Sequence, residues 1–207
     1  WLTKQFTAPI NVAIPSGNFG NAYSAWFGRN HGLPINQILC STNVNDVLRR
    51  FIDGGVLEPL VTQPSVAPSM DIQIPSSLER LIFDLSSDAK SFYGQLQTNS
   101  KAQLDEKSVD GLQKVFSSFT FSDESITTLI KSLHDEFALV FDPHSVTSVQ
   151  MALDNDSSLP TVAVATASPE KFGNVITPLI SGFTESKIVE KEQYLTLSTE
   201  NAEIIEA

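Results

Sequence analysis

The chain has little cysteine, little histidine, few basic residues and no long apolar run, and each shortage removes a class of protein. No stretch approaches the roughly 18 apolar residues of a membrane span. The single thiol, Cys40, excludes an internal disulfide framework and fits a reducing compartment. It stands in Ile38-Leu39-Cys40, where a small buried hydrophobe is its natural role. His31, His134 and His144 are scattered and no Cys/His spacing accompanies them, so no metal centre is expected. The 13 Lys and Arg face 24 Asp and Glu, and a net charge of −11 argues against nucleic acid or an anionic membrane as partner. The opening Trp1-Leu2-Thr3-Lys4-Gln5 does not read as a signal peptide, because no apolar region follows its charge; a cytoplasmic location is expected.

What is present is enough apolar residue, 41% with 13 Phe, to bury a substantial core over 207 residues. The most informative stretch is Ile14-Pro15-Ser16-Gly17-Asn18-Phe19-Gly20-Asn21. The apolar run Ile10 to Ile14 before it reads as a short buried strand. Ala22 to His31 after it has helical length and an apolar face, and Gly32 and Pro34 stop it. A tight strand-to-helix turn with two glycines permits positive φ and lets backbone amides approach a ligand. The amides and dipole of the first helical turn favour an anion at the same place. No Walker lysine follows, and the Gly-x-Gly-x-x-Gly fingerprint is absent. On glycine spacing alone, a phosphate cradle and a plain ligand-free connection are both open.

Further along, Ile35 to Ser41 reads as a second strand, and Thr42-Asn43 as a cap for a helix from Val44 to Ile52 ended by Gly54-Gly55. This strand–helix rhythm predicts an α/β fold, a mostly parallel sheet flanked by helices, with ligands at the strand ends. Proline at 59, 64, 68 and 75 makes the following stretch extended. A helix is expected from Ser77-Leu78 to Leu85. The segment 86–137 reads as a helical insertion with pieces at Ala89–Leu96, Glu106–Phe116 and Asp123–Phe137. Asp142-Pro143 starts a helix to about Leu153. Thr161 to Ala165 is the clearest later strand, turning through Thr166-Ala167-Ser168-Pro169 into a helix to about Ile180. The chain then divides into a domain over 1–183 and an acidic tail over 184–207.

The turn Pro15-Ser16-Gly17-Asn18-Phe19-Gly20-Asn21 resembles the cofactor-phosphate loop of the threonine synthases, pyridoxal-phosphate enzymes of the fold shared with the tryptophan synthase β chain. Further blocks resemble the same family in the same order. They are Gly32-Leu33-Pro34-Ile35, Thr42 to Phe51, Ser69-Met70-Asp71-Ile72, Leu78 to Asp84, Phe141-Asp142-Pro143-His144, and Ala165 to Phe172.

The resemblance implies pyridoxal 5′-phosphate as cofactor and O-phospho-L-homoserine as substrate, converted with water to L-threonine and phosphate. It implies cofactor contacts from Ser16, Gly17, Asn18, Phe19, Gly20, Asn21 and Thr166, with the Thr166 hydroxyl on the ring nitrogen. The family's Schiff-base lysine precedes the phosphate loop in a Phe-Lys-Asp type motif, which Leu2-Thr3-Lys4-Gln5-Phe6 does not match. The chain therefore resembles a C-terminal half, the missing N-terminal half is its expected partner, and no catalytic residue is assigned within it. Such a half is expected to be inactive alone and to expose an apolar patch beside Phe19 and Thr166. A non-catalytic binding module derived from the same family is the alternative; another β-replacing enzyme of the same fold fits the blocks less well.

Among other candidates, Lys171 could point at bound phosphate, and Arg49 and Arg50 at a substrate phosphate. Asn43, Asn45 and Asp46 could contact a ligand or cap a helix. For His144, packing against the sheet is the favoured reading.

Overall fold

Ile10 to Pro15 is buried at every position, which a strand achieves only inside a sheet covered on both faces. The structure, a computed structural model, describes residues 8–86, 88–183, 193–197 and 202–206. In chain order the first elements are β1 (Ile10–Pro15), α1 (Gly20–Asn30), β2 (Ile35–Thr42), α2 (Val47–Gly54), β3 (Val56–Leu57) and a 3-10 turn at Pro68–Met70. They are followed by α3 (Leu78–Leu85), α4 (Ala89–Asn99), β4 (Ala102–Gln103), α5 (Glu106–Gln113) and β5 (Phe116–Thr120). Then come α6 (Asp123–Phe137), α7 (Ser145–Leu153), β6 (Thr161–Ala163), a 3-10 turn at Pro169–Phe172 and α8 (Gly173–Ile176). The acidic segment 184–207 lies outside the described residues except for β7 (Gln193–Leu197) and β8 (Ala202–Glu206), an antiparallel pair.

The central sheet has the order β5-β2-β1-β6 and every pairing in it is parallel, as the strand–helix rhythm predicts. Alternate residues of a strand share a face. Ile10, Val12 and Ile14 of β1 and Ile38 and Cys40 of β2 therefore pack together, with Trp26 of α1 and Val47 and Phe51 of α2. On the opposite face α7 crosses β1, β2 and β6 and, with α6, buries Ile126, Ile130, Val146 and Val149. Buried hydroxyls fix α7 in place. The Ser41 and Thr147 hydroxyls lie 2.6 Å apart, and Ser148 Oγ donates to the Val164 carbonyl at 3.0 Å.

From β1 the chain moves to β2 on one side, whereas β6 arrives on the other. The carboxyl ends of β1 and β6 therefore flank a topological switch point, where open α/β sheets bind ligands. Burial pushes the Cys40 thiol up to about 12, which suits a packed hydrophobe and not a nucleophile.

Several boundaries differ from the sequence reading. The helix expected over Glu106–Phe116 ends at Gln113, and Phe116 opens β5, an edge strand of the main sheet. The segment read as helical, 86–137, thus also completes the sheet. Its Phe116 is 2% exposed, with ring centroids 5.6 Å from Phe19 and 5.7 Å from Trp26. Strand β6 stops at Ala163, although the Val164 amide still donates to the Ala13 carbonyl at 2.9 Å. The helix expected to reach Ile180 is a 3-10 turn followed by the single turn of α8. The α6 bounds and its Ser122 cap agree with the reading, Ser122 accepting from the Ser125 amide.

If Phe116 ties β5 to the turn after β1, Phe116→Ala should destabilise the fold by about 3–5 kcal/mol. A urea midpoint indistinguishable from wild type would show that β5 is dispensable.

Candidate functional site

The turn between β1 and α1 is built by one unusual residue. Phe19 adopts φ 68°, a left-handed conformation, directly before the first residue of α1. For a bulky L-residue that backbone costs about 1–2 kcal/mol. Its ring is 1% exposed and packs on Phe116, so core burial offsets the strain. Phe19 itself therefore adds nothing to the apolar patch expected beside it: its ring turns inward and β5 covers it. Thr166 does lie exposed.

Above the turn is an open cavity of about 250 Å³. All seven residues that the resemblance implies for the cofactor line it: Ser16, Gly17, Asn18, Phe19, Gly20, Asn21 and Thr166. They do not contribute alike. The Ser16 amide is committed to the Ser41 carbonyl at 2.8 Å, and its hydroxyl donates to the Ile14 carbonyl at 3.1 Å. The amides of Gly17, Asn18, Phe19, Gly20, Asn21 and Ala22 donate none of the hydrogen bonds found among the described residues. Buried or ligand-facing amides demand acceptors, and this run of free donors at a helix N-terminus suits an anion. Asn18 braces the far side, its carbonyl accepting from the Ser77 amide at 2.9 Å.

The two glycines act by different means from those the sequence suggests. Positive φ falls on Phe19, and neither Gly17 nor Gly20 has it. Gly17 is required for space: a Cβ there would overlap the Ser69 carbonyl oxygen and stand 3.2 Å from Met70 Cα. At Gly20 the nearest atom to such a Cβ is Ser77 Oγ at 3.7 Å, an ordinary contact.

Ser69, Met70 and His144 also line the cavity, and sequence reasoning did not gather them there. Their grouping depends on the fold: the extended segment 58–75 crosses the turn, and the N-terminus of α7 arrives from the opposite face. His144 is 3% exposed. Its Nε2 accepts from the Ser69 amide at 3.1 Å, and Nδ1 lies 2.8 Å from Asp142 Oδ1. Asp142 Oδ1 also accepts from the His144 and Ser145 amides, so the expected capping role of Asp142 holds. Ser145 Oγ accepts from the Thr166 amide at 2.9 Å, which sets Thr166 at the cavity.

Other candidates are drawn elsewhere. Lys171 is exposed and does not line the cavity. Arg49 pairs with Asp46 and Asp53, each at 2.9 Å, and Arg50 with Asp46 at 2.9 Å. Asn43 and Asn45 are buried and donate to Asp71 Oδ1 at 2.6 and 3.0 Å, a structural tie between loops. No lysine is among the cavity residues. Among the described residues no group of three metal-ligating side chains occurs, and no helix is long and apolar enough to cross a membrane.

No protein-family model matches the chain. Threonine synthase from Saccharomyces cerevisiae is 31% identical over 216 residues, covering 92% of this chain and 42% of that protein. Threonine synthase from Pseudomonas aeruginosa is 32% identical over 181 residues, covering 83% of this chain and 39% of its own length. The crystal structure of PLP-bound threonine synthase from Brucella melitensis matches with a TM-score of 0.82 at 28% identity, over 88% of this chain and 40% of that one. The parallel sheet and its flanking helices are thus those of pyridoxal-phosphate enzymes of the tryptophan synthase β-like fold. Within that class the chain belongs to the threonine synthase family. It spans about two fifths of the length of the curated relatives it matches.

Gly17→Ala should abolish phosphate-ligand binding, since a methyl group would displace the Ser69–Met70 backbone. Gly20→Ala should leave affinity within about threefold, because its methyl meets only ordinary contact. Equal losses in the two variants, read by ligand titration, would show that flexibility and not space governs the turn.

Proposed function

We propose that this chain supplies the phosphate and ring-nitrogen contacts for pyridoxal 5′-phosphate in a threonine synthase acting on O-phospho-L-homoserine. The observation that carries the reading is the row of undonated amides from Gly17 to Ala22, beside a cavity whose Ser69–Met70 wall leaves no room for a Cβ on Gly17. A phosphate dianion fits that donor set: it offers acceptors only, and the helix N-terminus favours its charge.

When bound, pyridoxal phosphate supplies an electron sink for proton removal beside the substrate amine. Everything else asked of this chain is binding and orientation. The amides of Gly17, Asn18, Gly20 and Asn21 hold the phosphate oxygens, and Gly17 admits the close approach. The Thr166 hydroxyl makes none of the described hydrogen bonds within the protein and lies exposed at the cavity, free to hold the ring nitrogen. A hydroxyl partner leaves that nitrogen largely unprotonated, unlike a carboxylate. Among the described residues no Lys, Arg, Asp or Glu lines the cavity, and in this reading the amine that carries the cofactor and moves substrate protons comes from elsewhere. We place it in the part of the family's length that this chain does not span. A reducing, cytoplasmic setting suits the lone buried Cys40.

The test uses the full reading frame that contains these residues. It should bind pyridoxal phosphate and release phosphate from O-phospho-L-homoserine with threonine formed in equal amount. The 207-residue chain alone should release none. Cofactor binding without phosphate release by the full frame would overturn the substrate assignment. Cofactor-dependent release by the short chain would overturn the placement of the lysine.

A further inference from the structure

We infer that His144, fixed in one tautomer by Asp142, is a positioning residue that holds the Pro68–Met70 turn as the third wall of the phosphate cradle. The inference rests on the cofactor reading above and adds a residue whose favoured sequence role was packing.

The Ser69 amide donates to His144 Nε2 at 3.1 Å. A nitrogen that accepts carries no proton, so the proton of the neutral ring sits on Nδ1 and is donated to Asp142 Oδ1 at 2.8 Å. Asp142 is fully buried and His144 nearly so, and the imidazole also packs on Phe172 with ring centroids 4.8 Å apart. The ring therefore has one orientation and one tautomer, and its acceptor is aimed at a single backbone N–H.

That N–H belongs to the residue whose carbonyl oxygen rests against Gly17. The chain of contacts runs Asp142, His144, Ser69, Gly17, from the N-terminus of α7 to the turn after β1. Other ties hold the flanks of the same segment. Asn43 Nδ2 donates to the Ala67 carbonyl at 3.2 Å, and Asp71 accepts from Asn43, Asn45 and Ser65. Between those ties, among the described hydrogen bonds, His144 alone reaches the Ser69 amide. Ser69 is exposed at the cavity, and its hydroxyl makes none of the described hydrogen bonds. Losing the imidazole acceptor would strand the Ser69 amide and let the wall move off the loop.

The substitutions His144→Gln and His144→Met separate this role from packing. Glutamine keeps an acceptor at comparable reach, whereas methionine fills similar space without one. In the full reading frame, pyridoxal phosphate affinity should stay within about threefold for H144Q and fall about tenfold or more for H144M, as expected when the Ser69 amide loses its acceptor and the wall its anchor. The melting temperatures of the apo proteins serve as the folding control. Equal losses in both variants would assign His144 to packing and overturn the proposal, as would wild-type affinity in H144M. Wild-type protein that fails to bind pyridoxal phosphate would sink the cofactor reading itself. If H144M does not fold, amide exchange in the wild type still decides: the Ser69 amide should be protected, and a freely exchanging Ser69 overturns the inference.

Discussion

The site depends on one balance, between the strained backbone of Phe19 and the burial of its ring. A left-handed conformation at a phenylalanine is unfavourable by itself, and the ring of Phe116, itself packed on Trp26, holds it there. Because the residue is bent this way, the chain leaves β1 and enters α1 without using the amides of the turn. Those amides stay free at the cavity. A glycine at this position would relax the strain but lose the ring that locks the geometry. The turn is preorganised from below, by the core, before any ligand arrives.

The same economy recurs on the far side of the cavity. The segment between β3 and α3 has four prolines and almost no regular structure, so its backbone groups need partners from elsewhere. Asn43 supplies one to the Ala67 carbonyl, Asn45 pairs with the Gln63 amide and carbonyl, and His144 supplies another from the opposite face. Charged and polar residues that look like ligand contacts in sequence are thereby used to hold a loop still. Asp46 is a parallel case: burial raises its carboxyl pKa, but Arg50 and Arg49 outweigh that and hold it below the usual range. These residues act on function only through the walls they keep in place.

Much of the sheet was legible because its signals are local. Apolar runs, Ile10 to Ile14 and Ile38 to Cys40, marked β1 and β2, and serine, glycine and proline marked ends of α1, α2 and α6. The strand β5 was missed for a physical reason. Phe116-Ser117-Ser118-Phe119-Thr120 pairs with β2 on one side only, and an edge strand needs no unbroken apolar run. Its alternation was too short to outweigh the helical pattern just before it. The loop residues of the site were legible because they are contiguous. His144 and Ser69 were not placed together, since 75 residues separate them and only the packing of α7 joins them. For Gly17 the sequence offered positive φ and close approach to a ligand; the φ part fails, and the Ser69 backbone that crowds it could not be read from sequence.

The proposed phosphate site of this acidic chain has no lysine or arginine among the described residues that line it, an apparent conflict. The resolution lies in range. Charges beyond roughly 8 Å are screened at physiological salt, and no Asp or Glu is among the described residues that line the cavity, so most of the net charge of −11 contributes little at the loop. What acts there are amide dipoles a hydrogen bond away, aligned by the turn and by the start of α1. Fixed dipoles need no counter-charge to be desolvated with them, and they leave the cavity neutral when empty. An uncharged cradle therefore discriminates by fit and donor geometry, and Gly17 becomes its most sensitive point because the wall at Ser69 presses directly on it.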